Sequence, residues 1–158
     1  MNSRTADLSA PRPIVPVLAP LWQGLAPLAP LLVRVVTGAL LIPHGAQKLF
    51  GWFGGYGLEG TGQYFASIGF EPGIVFAALV GLLEFFGGIA LILGLLTRPV
   101  AAAVVVFMAV AFTIHLPNGY AWNSAGFEMP LFWGLMALAV LFQGGGRFSL
   151  DRVIGREV

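Results

Sequence analysis

Apolar residues gather into four long runs, about 29–50, 73–96, 99–115 and 128–143, each broken by only a few polar residues. Between them lie stretches rich in Gly, Pro and Asn. Crossing a bilayer takes about 20 apolar residues at about 1.5 Å each. The first two runs reach that length, and the last two sit near the lower limit and are expected to cross with little tilt. The pattern predicts an all-α integral membrane protein, a four-transmembrane-helix up-down bundle with both termini cytoplasmic. Pro30 suits a first helical turn. Thr97-Arg98-Pro99 reads as a tight connection with Pro99 opening the third span, Pro117-Asn118-Gly119 as a break, and Gly144-Gly145-Gly146 as a stop.

On this reading residues 1–28 form a Pro-rich cytoplasmic tail, 29–146 the transmembrane domain, and 147–158 a cytoplasmic surface tail. Prolines 11, 13, 16 and 20 interrupt the apolar core that a cleaved leader needs, so the tail is expected to be uncleaved and irregular. Residues 51–72 make a Gly/aromatic outer loop, expected to fold as a lid over the bundle end or to act as an aromatic interface belt. Within it, Thr61–Ile68 is expected to form a short interfacial helix, capped by Thr61 and stopped by Gly69. Ser149-Leu150-Asp151-Arg152 suggests a short surface helix.

Composition agrees with a membrane setting. Of the 158 residues, 58% are hydrophobic and only 9% charged, against roughly 25% charged in soluble domains; mean hydropathy is +0.87. The absence of cysteine removes disulfides, thiol relays and iron–sulfur ligation. A net charge of +1 without a basic stripe gives no grip on phosphates, so no nucleic-acid partner is expected. Arginines orient the bundle: Arg4, Arg12, Arg98, Arg147, Arg152 and Arg156 share one side of a four-span arrangement, while loops 51–72 and 116–127 have no Lys or Arg. The positive-inside rule then places the termini in the cytoplasm of a multi-pass inner (plasma) membrane protein.

The candidate chemistry lies in the charges the apolar runs tolerate. Glu84 sits mid-span, where a carboxylate costs about 2.5–3.5 kcal/mol on insertion scales. Arg34, Gly38, Leu41, Gly45 and Lys48 share one helical face at 4-3-4-3 spacing, with His44 at its edge; Ala77, Gly81, Glu84 and Gly88 share another. Small residues let such faces meet closely. Pro43 frees the carbonyl of Ala39 and is expected to kink the first span before His44. His44, Lys48, His115 and Glu128 fall towards the outer end and Arg34 towards the inner one, so the ionisable groups form a funnel narrowing to Glu84. Each also has an ordinary role. Glu84 can lock helices by pairing with Arg34 or Lys48, Lys48 can snorkel, His115 can satisfy the last carbonyls of its helix, and Glu128 suits a helix N-terminus.

The stretches RVVTGALLIPHGAQKLFGWFGG from Arg34 and GLLEFFGGIALILGLLTRPVAA from Gly81, with the later HLPNG and GFEMPLFWG, resemble the DoxX family of small four-helix membrane proteins. The resemblance covers about residues 29–152. It implies the fold, marks Arg34, His44, Lys48, Glu84 and Glu128 as the polar positions, and includes the small membrane subunit associated with thiosulfate:quinone oxidoreductase.

Three functions compete on the sequence. The first is a component of a quinone-linked oxidoreductase, with His44, Glu84 and His115 handling protons and Trp52, Phe85, Phe86 and Trp122 walling a quinone slot; Arg34, Lys48 and Glu128 complete the candidate set. Its redox partner would be soluble or membrane-bound. The second is a haem or mixed His/Glu metal site built on His44 and His115, although no metal motif lies within one helix and no metal ligand is assigned. The third is a non-enzymatic docking or assembly subunit. The small-residue faces also suit a homo-oligomer interface.

Overall fold

The computed structural model describes residues 14–156. Its helices are α1 (Ala19–Leu25), α2 (Leu28–Phe50), α3 (Gly57–Ser67), α4 (Gly73–Leu82), α5 (Gly88–Leu93), α6 (Thr97–His115), α7 (Glu128–Gln143) and α8 (Leu150–Ile154). A π-helical turn, Leu83–Gly87, joins α4 to α5, making one continuous rod over Gly73–Leu93. Among the described residues there is no strand. Three helical stretches, Leu28–Phe50, Gly73–Leu93 and Thr97–Asn118, are long and apolar enough to cross a membrane, and α7 is a shorter apolar helix.

Local chemistry explains where these boundaries depart from the sequence expectations. The expected irregular tail carries α1 and a short 3-10 turn before it, because Pro16 and Pro20 each fall in a first turn, where a missing N–H has no intrahelical acceptor. Residues 1–13 of that tail, with Arg4 and Arg12, lie outside the described residues. The second span ends at Leu93 rather than Leu96: Gly94 takes the left-handed conformation, φ +68°, and Leu95 N–H closes the end on the Ala90 carbonyl at 2.9 Å. Thr97 and Arg98 are helical, not a connection, and Pro99 sits inside the first turn of α6. The interfacial helix starts at Gly57, four residues before the expected cap, so Thr61 is a buried interior residue and no side chain caps α3. What draws α3 in is α4: Gly62 and Gly73 face each other at backbone contact. α2 continues helically through Pro43.

The two small-residue faces do meet. Arg34, Thr37, Gly38, Leu41, Gly45 and Ala46 are buried on α2, and Ala77, Gly81, Glu84, Gly87 and Gly88 on the facing rod. Gly45 lies against the backbone of Gly81 and Phe85, close enough that a β-carbon there would overlap Phe85 N and Gly81 O. The apolar core, Leu41, Leu91, Ala101, Val104, Met108, Ala137 and Val140, lies where α2 and α5 pack against α6 and α7. Large hydrophobics such as Leu32, Leu79, Phe86, Val106 and Leu135 are exposed on the helix surfaces, as a lipid-facing exterior requires.

Candidate functional site

Two polar clusters stand at opposite ends of the bundle. The first centres on an ion pair between Lys48 on α2 and Glu84 in the π turn, with Nζ and Oε2 2.7 Å apart. The Glu84 side chain is only 3% exposed and that of Lys48 23%. π turns are rare in helices and gather at functional sites. His44 lies one turn before Lys48 on the same helix and stands edge-on to Trp133 of α7, with ring centroids 4.9 Å apart and planes at 73°.

His115 ends α6 at the same level. Its Nδ1 is 2.7 Å from the Ala125 carbonyl; a carbonyl only accepts, so Nδ1 carries a proton and donates, and Nε2 is the nitrogen left free of this bond. Asn118 Nδ2 donates to the same oxygen at 3.0 Å, fixing the turn that holds the imidazole.

His44, Lys48, Glu84 and His115 all line one largely apolar cavity of about 660 Å³, within the size of small-molecule sites. Its other walls are Tyr64 and Phe65 of α3, Phe70, Phe76 and Val80 of the second rod and its approach, Phe107 of α6, and Trp122, Met129 and Trp133 around the start of α7.

Several residues expected here are elsewhere. Of the expected aromatic walls, only Trp122 lines the cavity. Phe85 and Phe86 follow Glu84 in the π turn but do not line the cavity; Phe85 packs on Phe50 at 5.3 Å and Phe86 is 54% exposed. Trp52 stacks on Phe50 at 4.9 Å, outside the cavity. Glu128 does not line it either. Its Oε2 accepts from Trp122 N–H at 3.0 Å while its own N–H donates to Tyr120 O at 3.0 Å, so it folds the 116–127 loop across the helix start. The true walls carried a legible signal in part: Phe76, Val80 and Glu84 recur every fourth residue on one face. Trp133, inside the shorter apolar helix α7, was a second.

Arg34 belongs to the other cluster. Fully buried, it donates from Nη1 to the carbonyls of Leu91 (2.9 Å) and Ile92 (2.8 Å) and from Nη2 to that of Phe148. Its partners are thus the end of α5 and the segment before α8, neither Glu84 nor Lys48. Asp151 of α8, 4% exposed, accepts the backbone N–H of Leu96 at 2.8 Å and of Thr97 at 2.9 Å, capping α6 from a distant part of the chain. Sequence reading treated this stretch as a surface helix and missed the cap, since nothing local marks a residue that caps a helix 54 positions away. Burial works against the Asp151 charge, but the donors at Thr97 and Leu96 and the nearby Arg34 guanidinium outweigh it and hold the carboxyl below the ordinary carboxylate range. A lowered folded-state value stabilises the fold above the unfolded value, about pH 4, and that contribution is lost as pH falls through the lowered one. Asp151→Asn is therefore expected to cost about 2 kcal/mol at neutral pH and to flatten the acid limb of a stability–pH curve in detergent. An unchanged acid limb would remove Asp151 from this role.

Residues 29–116, which hold Arg34, His44, Lys48, Glu84 and His115, match the DoxX family. The chain is 33% identical over 130 residues to the inner membrane protein YqjF of Escherichia coli K12, spanning 80% of this chain and 92% of that protein. To the uncharacterized membrane protein Rv3486 of Mycobacterium tuberculosis it is 32% identical over 157 residues, 88% of this chain and 91% of the other. A shorter match, 38% over 68 residues, covers 43% of this chain and 45% of a Bacillus subtilis protein named "Putative oxidoreductase CatD". No solved structure matches. By the family match, the near-full-length relatives and its apolar helices, the chain belongs to the DoxX family and is a multi-pass protein of the inner membrane.

Proposed function

We propose that the chain is the quinone-binding membrane component of an oxidoreductase, with the ring of the quinone held in the cavity before the Lys48–Glu84 pair. The observation that carries this reading is an apolar, aromatic-walled space of about 660 Å³ whose few polar groups are all proton-handling ones. A quinone supplies two-electron, two-proton interconversion of carbonyl and hydroxyl. Lys48 Nζ would donate to one ring oxygen, and His115 Nε2, left free by the Nδ1 bond to Ala125, would accept from a hydroxyl. Trp133 and Phe107, which line the cavity, would pack against the ring and exclude water. With no cysteine in the chain, electrons reach the site from a partner protein or directly from a reductant. The oxidoreductase in the printed name of the Bacillus relative points the same way.

The same reading makes α7 the fourth span of a 29–146 membrane domain. Pro30 at the start of α2 lies by Gly146, and Asp151 by Leu96 and Thr97, so these segments share one end with Arg98, Arg147, Arg152 and Arg156. The positive-inside rule assigns that end to the cytoplasm and the cavity to the outer half.

The test is equilibrium binding of a short-chain benzoquinone to detergent-purified protein. Saturable binding is expected, weakened about tenfold in Trp133→Leu. Absence of saturable binding, with a soluble protein co-purifying instead, would replace this reading by that of a docking subunit.

A further inference from the structure

A second pocket, about 690 Å³ and walled by Gln47, Tyr56, Thr61, Gln63, Ser67 and loop glycines, adjoins the apolar cavity at the same end of the bundle. Lys48 and Tyr64 are the residues common to both, and Glu84 borders the apolar side alone. The ammonium thus stands in the partition with the carboxylate behind it. The two spaces differ in their exposed margins. Ala103, Val106 and Val110, spaced three and four apart on α6, line the cavity, yet Val106 is 65% and Val110 41% exposed on the bundle surface. That side faces lipid. The second pocket is lined by the rings of Tyr56 and Tyr64 together with side-chain amides, hydroxyls and glycine backbone, with exposed Gln63 and Ser67 at its rim, where water reaches it. Lys48 apart, it has no charged side chain with which to hold an ionic ligand.

We infer that the polar pocket is the proton-exchange route of the cavity, gated by the Lys48–Glu84 pair. In one direction an N–H bond of Lys48 breaks as an O–H bond forms on Glu84 Oε2 or on a ligand oxygen in the cavity. Lys48 then regains a proton from a hydronium ion in the pocket water. The reverse sequence releases a proton, and no electron moves in either. The other titratable side chains on the two walls are His44 of α2, Tyr56 and Tyr64 of the α2–α3 region and His115 of α6. The route rests on the proposed function only for what consumes or releases the protons.

The chain lacks cysteine, so Gln63→Cys offers a single thiol at the pocket rim for a bulky methanethiosulfonate reagent. The readout is the infrared carboxyl band of Glu84, assigned by its loss in Glu84→Gln, after an acid jump on proteoliposomes. Labelled Gln63→Cys should protonate Glu84 about tenfold more slowly than the unlabelled protein; Ser67→Trp should slow it without any label. Labelled Ser124→Cys, at the same end but outside both pockets, should respond at the native rate. An unchanged rate in labelled Gln63→Cys would overturn the route. So would loss of short-chain benzoquinone binding on labelling, since the two pockets would then be one ligand site. Slowed protonation in a protein that binds no quinone would uphold the route and overturn only the quinone reading.

Discussion

Lys48→Met is expected to lower the unfolding free energy by about 3 kcal/mol, the lower end of what removing one partner of a buried pair costs. The figure sits low in the range because Lys48 is partly exposed to the polar pocket. The loss comes from Glu84, left as a carboxylate at 3% exposure with no counter-ion, rather than from any packing made by the lysine. That origin dictates a second expectation. Lys48→Met with Glu84→Gln should be clearly more stable than Lys48→Met alone, because the stranded charge is gone and the amide is cheaper to bury. Thermal or denaturant unfolding of the four proteins in one detergent gives the cycle. If the losses of the two single variants simply add, the pair is not what holds Glu84, and its carboxylate must find its solvation elsewhere. Glu84→Gln alone should retain the fold while altering any proton-coupled turnover, which separates a proton-handling group from a helix lock.

Gly45→Leu is expected to be at least as damaging, about 3 kcal/mol or more. The obstacle is backbone, Phe85 N and Gly81 O, and backbone cannot swing aside as the end of a side chain can. The only relief is to push α2 away from the second rod, which separates Lys48 from Glu84 and widens the partition between the two pockets. Loss of the native peak in detergent gel filtration, or a large fall in midpoint, checks it. A Gly45→Leu protein as stable as the native one would mean that the helices do not touch here.

The architecture was legible because its signals are periodic. Gly38, Gly45, Gly81 and Gly88 are spaced by helical turns, and so are the charges they accompany, so both the contact faces and the burial of Glu84 could be read without coordinates. The site was legible for the same reason on α2 and the second rod, where His44, Lys48 and Glu84 stand. It failed where neighbours in sequence point apart in space. Phe85 and Phe86 adjoin Glu84 in the chain but do not line the cavity, while Phe107 and Trp133 reach it from other helices. The inner position of Arg34 was legible but its partners were not, because a long side chain in an apolar run does not announce them: they are backbone carbonyls, which every sequence contains. Asp151 was missed because its cap depends on tertiary closure alone.

That closure carries a consequence for how the protein is made. Arg34 enters the bilayer with α2, yet the Phe148 carbonyl, one of its acceptors, and the Asp151 cap that secures the α5–α6 corner are synthesised more than a hundred residues later. Insertion and locking are therefore separate events. The segment that fastens Arg34 is thus made only after the whole of α2 to α7.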